Sequence, residues 1–168
     1  MKFPLRPISR ASVPAALQKA ERYRIINDPT SAESICLDVL EVDAHNQEAL
    51  VTLLLAITDQ MGPGPIAAAH RAQALLPRLD DEYKRAYYAG IICERCAKAQ
   101  IGAGSYRTGE MAYHWLIEAM AFFEKAEALR PAGDDAAILR WNTCARLLAR
   151  DASLAPREAD EPVDPSME

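Results

Sequence analysis

The residues best suited to chemistry in this chain are Cys93 and Cys96, two thiols three positions apart. That spacing could begin a tetrahedral metal site, or form a redox pair where a helix N-terminus favours the thiolate. Here the pair falls well inside a helical pattern, away from any N-terminal dipole. No second Cys-x2-Cys or His-x3-His run completes four ligands, and Cys36, Cys144 and His114 are the remaining soft donors. The pair therefore reads as core thiols behaving as small hydrophobes, with a thiol- or metal-dependent function as the lesser alternative. Gly102, Gly104 and Gly109 superficially outline a phosphate loop, but no strand precedes them and the spacing to the next helix is wrong. They read as a connection. His45, His70 and His114 stand alone, the first two expected at the surface, and local spacing assembles no Ser-His-Asp set or carboxylate pair. The expectation is a protein that is not an enzyme, with no catalytic residue, no metal and no cofactor.

The elements that would position any site are helical. Ala is abundant, and long alternating β-branched runs are absent. Residues 1–13 read as an extended arm rich in proline. A first helix is expected from about Ala15 to Ile26, broken by Asp28 and Pro29. Thr30 with Glu33 three residues on predicts a capping box that opens a second helix, ending near Val42. Asn46 predicts the cap of a third helix, which the Gly-Pro run after Met61 must end by Pro65. A fourth is expected over Ile66–Leu76. A fifth is capped by Asp80 and runs to about Ala99. Gly102 to Gly109 read as a long loop, followed by a sixth helix over Glu110–Leu129 and a seventh over Asp134–Ala149. Residues 151–168 read as an acidic, disordered tail.

Ala119, Phe123, Ala126 and Pro131 give the most regular spacing in the chain. Small residues bracket a bulky ring on one helical face, and a proline ends the run. Ala20, Tyr23, Ala32, Cys36 and Val39 form a weaker copy, as do Leu50, Leu53, Ala67 and Ala74, and then Ala86, Ala89 and Gly90. This pattern resembles the tetratricopeptide repeat, a helix pair of about 34 residues, over roughly residues 13–150. The family's signature tryptophan is missing, and the third repeat is stretched. The resemblance implies an all-α fold, an αα-hairpin superhelix of about three helix pairs occupying residues 14–150. Trp141 stands at a small-residue site, where it would obstruct a following helix, so the seventh helix is expected to be a C-terminal cap.

In that family the first helices of each pair line a concave groove. By helical phase the resemblance implies a groove of Leu17, Glu21, Arg24, Val51, Leu55, Asp59, Lys84, Tyr87, Ile91, Arg95, Ile138, Asn142 and Arg146, with Tyr87, Arg95, Asn142 and Arg146 foremost. Apolar anchors beside both signs of charge suit a peptide or protein segment. The family's carboxylate-clamping subclass uses a basic residue and an asparagine where this chain has Leu17 and Glu21. Lys84 alone fits that pattern.

Charge narrows the partners. The net charge is −5, and residues 151–168, with six acids and one base, account for all of it. A balanced body offers no broad basic surface for nucleic acid. No apolar run approaches the ~20 residues of a membrane span, and Pro4 and Pro7 interrupt any signal-peptide core. Four cysteines suit a reducing compartment, so a cytoplasmic location is expected. The function these features suggest is a non-enzymatic interaction module for a protein or peptide partner. Self-association as a structural homo-oligomer is the alternative.

Overall fold

The computed structural model describes residues 3–62, 64–102 and 106–154. Among them are seven α-helices and no strand: α1 (Val13–Ile25), α2 (Pro29–Val42), α3 (Gln47–Asp59), α4 (Ile66–Gln73), α5 (Glu82–Gly102), α6 (Tyr106–Leu129) and α7 (Ala136–Arg150). Short 3-10 turns cover Arg10–Ser12, Leu76–Arg78 and Ala152–Leu154. Each helix packs on its sequence neighbours, and α1 also reaches α3.

Local chemistry sets the boundaries. Pro14 sits in the first turn of α1, where its missing N–H costs nothing, so the helix begins two residues earlier than expected. Asn27 takes the left-handed conformation (φ 61°) and lets the chain reverse between α1 and α2. The expected capping box at Thr30 is not formed. Asp28 caps α2 instead, its Oδ1 accepting from the Ser31 N–H at 3.1 Å. Glu33 is thereby left to accept from Gln60 and Arg71. Asn46 caps α3 as expected, its Oδ1 accepting from the Ala49 N–H at 2.9 Å. Asp81, not Asp80, accepts from the first amides of α5. Pro77 cannot continue an α-helical ladder, and the end of the fourth expected helix becomes a 3-10 turn.

The long loop expected between the fifth and sixth helices is a short one. α5 runs on to Gly102 and α6 begins at Tyr106, so Gly109 is helical. A Cβ there would collide with the Ser153 carbonyl, which lies across this turn of α6. Residues 152–154, expected in the tail, form a turn that buries Leu154 among Ala112, Leu116 and Ala119. The rest of the acidic segment, 155–168, lies outside the described residues, as does Gly104 of the supposed phosphate loop.

α5 joins two halves of the core. Ile92 and Cys96 face a cluster built by α1 to α4, around Leu50, Leu54 and Val39. Ile91, Cys93 and Ala97 face a second cluster with Phe123, Leu116 and Cys144 from α6 and α7. Phe123 is fully buried. Its ring lies where a Cβ on Gly90 would come within 2.5 Å of Cε1, so the glycine is what lets α5 and α6 approach.

Candidate functional site

A polar row crosses four helices that are not neighbours in sequence. On α1, Glu21 Oε1 accepts from the Thr52 hydroxyl of α3 at 2.8 Å, and Glu21 also pairs with Arg24 one turn on. Arg24 Nε donates to Asp59 Oδ2 of α3 at 2.8 Å, while Arg95 of α5 pairs with the other Asp59 oxygen. On α5, the next residue turns the other way. Glu94 is fully buried, pairs with Lys98 four residues on, and accepts from Arg140 of α7 at 3.4 Å through both oxygens. Burial disfavours the Arg140 charge, but Glu94 and the Tyr87 hydroxyl outweigh that and raise its pKa. Asp59 and Glu94 thus each serve cations from two directions, and their side chains link α1, α3, α5 and α7. Every buried side-chain polar atom among the described residues has a partner.

Helix caps and aromatic rings hold the row in place. Tyr83 stacks on Tyr87, which meets Tyr88 edge-on and rests 5.9 Å from the Phe123 ring centroid. The Tyr83 hydroxyl donates to Asp134 Oδ2 at 2.9 Å, just ahead of α7. The Ala136 N–H and the Tyr83 hydroxyl hold the Asp134 carboxyl below its usual range, and burial followed by that same contact pushes the Tyr83 phenol up.

This arrangement brings together four of the thirteen residues expected in a groove: Glu21, Arg24, Asp59 and Arg95. Those four are half-buried, as are Val51, Leu55 and Tyr87, which pack against the hydrophobic clusters, and Lys84 is exposed. Leu17 and Ile91 depart from expectation: at 3% and 2% exposure they are core residues, with no surface to offer a ligand. Arg95 is not free to meet a partner's charge either, because Asp59 already takes it up. On α7 the expected trio falls elsewhere. Ile138 and Asn142 lie about 160° around the helix from Arg140, the residue that reaches α5, and Arg146 about 120°. They face away from the row, at the end of the molecule.

Three residues that build the row were not expected: Thr52, Glu94 and Arg140. A signal for Glu94 was present, since a carboxylate interrupts the otherwise apolar face between Ile91 and Ala97, with Lys98 in the supporting i,i+4 position. Cys93 and Cys96 point into different halves of the core, and the Cys96 thiol donates to the Met61 thioether at 3.9 Å. Burial raises the thiol pKa to about 12 at Cys36 and Cys144 and about 11 at Cys96, and moves Cys93 further the same way. Among the described residues no group of three or more His, Cys, Asp or Glu side chains could hold a metal ion, and no helix is long and apolar enough to cross a membrane.

No family model, curated protein or solved structure matches this chain.

The helices that the row links also differ from the others in charge. α1, α3, α5 and α7 together carry ten Lys or Arg and five Asp or Glu, whereas α2, α4 and α6 carry three and seven. Part of that surplus lies off the row: Lys19 stands about 160° around α1 from Glu21, and Arg146 about 120° around α7 from Arg140.

Proposed function

We propose that this is a tetratricopeptide-like helical repeat module that binds a protein segment along the face shared by α1, α3, α5 and α7. The even-numbered helices form the outer layer, and α7 closes the stack. The observation that carries this reading is the polar row itself. Cross-helix pairing of Glu21, Arg24, Asp59 and Arg95, then of Glu94 and Arg140, links alternate helices through their side chains, as a stack of hairpins would. Small residues where helices approach support it, since Ala20, Ala32, Ala49, Ala119 and Ala126 are wholly buried. The face offers half-buried Val51, Leu55 and Tyr87 as apolar anchors, with exposed Lys84 unpaired among the described residues. That composition suits an extended or helical segment and assembles no nucleophile, base and orienting group for catalysis.

The test is hydrogen exchange on a reconstituted complex. A partner is recovered from the native cell by affinity purification and bound to the purified chain. Slowed exchange in α3 and α5 of this chain, around Val51 to Asp59 and Lys84 to Arg95, is the expected result. Slowing confined to α2, α4 and α6 would sink the reading.

A further inference from the structure

The chain leaves α7 through a fixed turn. Asp151 Oδ1 accepts from the Ser153 N–H at 3.0 Å and from the Ser153 hydroxyl at 2.6 Å. The Ser153 carbonyl lies against Gly109 of α6, and Leu154 is buried. This turn touches both α6 and α7, so whatever follows Leu154 starts between those two helices. They differ in charge. α6 carries four Glu against Arg107 and Lys125, whereas α7 carries Arg140, Arg146 and Arg150 and no acid. Residues 155–168 hold Glu158, Asp160, Glu161, Asp164 and Glu168 against Arg157 alone. The segment is thus repelled on one side of its starting point and attracted on the other.

The attraction has a definite place. Ala137 and Cys144 mark the buried side of α7. Leu139, Arg146 and Arg150 lie opposite, within about 40° of one another around the helix. All three are exposed, and Leu139, at 65%, is the most exposed large hydrophobic residue described in α2 to α7. Arg140 is taken up by Glu94, but Arg146 and Arg150 pair with no acid among the described residues. From Arg150 to Leu139 is ~16 Å along the axis, which about six residues of extended, proline-containing chain would cross. Residues 155–159 suffice to round the helix, leaving Asp160 and Glu161 for the two arginines and Val163 for Leu139. Unmatched bases also stand on α1, at Lys19 and Arg22, and at Lys84 near the start of α5. Proximity separates these sites. Glu158 comes four residues after Leu154, and a tethered group has its highest effective concentration at the site its linker reaches most easily. α1 packs on α2 and α3, and Lys84 stands most of a helix length from the α5 terminus. A foreign acidic segment, or acids on a second copy, would have to displace the tethered one, which takes high concentration.

We propose that residues 155–168 fold back over the outward side of α7 in the same molecule, setting acids on Arg146 and Arg150 and apolar side chains on Leu139. This surface faces away from the polar row, so the proposal and the partner-binding face can fail separately. The test uses the full-length, isotope-labelled chain with a nitroxide on Ser166→Cys, the four native thiols being buried. Ser166 is twelve residues past Leu154, so its tether alone does not hold it beside Leu139. The amide signals of α7 from Leu139 to Arg146 should be lost to paramagnetic broadening while those of α1 and α2 stay sharp. Raising salt should restore them. Two charge variants should restore them as well. Arg146→Glu with Arg150→Glu changes only exposed side chains, and circular dichroism melts should show it folded. Changing Glu158, Asp160, Glu161, Asp164 and Glu168 to their amides leaves every described residue as it is. Broadening centred on α1, or on α3 and α5, or shared equally by α6 and α7, would overturn the assignment. So would its absence, or its survival in either charge variant. A mixture of nitroxide-bearing chain without isotope and isotope-labelled chain without nitroxide separates the copies. Loss of α7 signals in that mixture would mean that a second molecule supplies the segment, and would overturn the assignment too.

Discussion

At the scale of single residues, the thiols and one glycine carry the sharpest expectations. Burial is the first cause of the raised pKa at all four cysteines. The folded state therefore holds their protons when an unfolded chain, with thiols near 9.0, has begun to release them. Stability should be intact below about pH 9 and should fall as pH rises from there towards the folded values of about 11 to 12. At pH 8 none of the four should react with a disulfide reagent until denaturant is added; one fast thiol in the folded protein would contradict the burial. Gly90 is the second case. Alanine there gains up to ~1 kcal/mol of helix propensity, but its Cβ meets the Phe123 ring at 2.5 to 2.9 Å. Overpacking of that kind costs about 1–3 kcal/mol. Gly90→Ala should thus lower stability by up to roughly 2 kcal/mol in urea melts, and adding Phe123→Leu should recover part of the loss. Independent, additive losses would show that the ring is not the obstacle.

At the scale of elements, Glu94 decides whether α7 stays with the stack. Its carboxylate is 1% exposed, but Lys98 and Arg140 are 46% and 40% exposed, so solvent screens both pairs. Breaking a fully buried pair costs about 3–5 kcal/mol; with partners this exposed, Glu94→Ala should cost roughly 1–3 kcal/mol. The loss should be uneven. Hydrogen exchange should quicken in α7, which depends on Arg140 to reach α5, and hold in α1 and α2, whose contacts are untouched. Glu94→Gln keeps the shape and some hydrogen bonding and should lose less. Unchanged protection in α7 would mean that Trp141, Cys144 and the Tyr83–Asp134 contact hold it unaided.

The sequence made the helices legible far better than the way they face one another. Seven helices follow from periodicity and from Pro, Gly and Asx breaks, because those signals are local. The Ala119, Phe123, Ala126 spacing marked a buried stripe, and the burial of all three agrees. The boundary errors arose where two local signals competed, as at Thr30 against Asp28, or where tertiary packing converted a glycine run into helix, as at Gly109. The candidate face was legible on α1, α3 and α5, where charged and apolar residues alternate with the helical period. It failed on α7, because the rotation of a terminal helix is set by one distant pairing, Arg140 with Glu94, that no local spacing announces. Depth was likewise hidden, since Leu17 and Ile91 share their stripes with surface residues but are covered by neighbours from other helices.

At the scale of the whole molecule, the proposed stack of hairpins would leave two unpaired surfaces, and their charges decide what can meet them. One end is the outer stripe of α1, with Lys19 and Arg22 around exposed Ile26. The other is the outward stripe of α7, with Arg146 exposed among Ile138, Asn142 and the 65% exposed Leu139. Among the described residues, copies joined head to tail would set Lys19 and Arg22 against Arg146, and two copies joined through α1 would likewise set bases on bases. Heterologous contacts of this kind grow into filaments when they do not close, so like charge at both ends works against them. The chain should sediment as a monomer at physiological salt. Lys19→Glu with Arg22→Glu removes the repulsion and places acids opposite Arg146. That variant should show a sedimentation coefficient that rises with concentration, and adding Arg146→Glu should return it to a monomer. Assembly of the unaltered chain would show that apolar contact at the ends outweighs their charge. In that case self-association would be the use these surfaces serve.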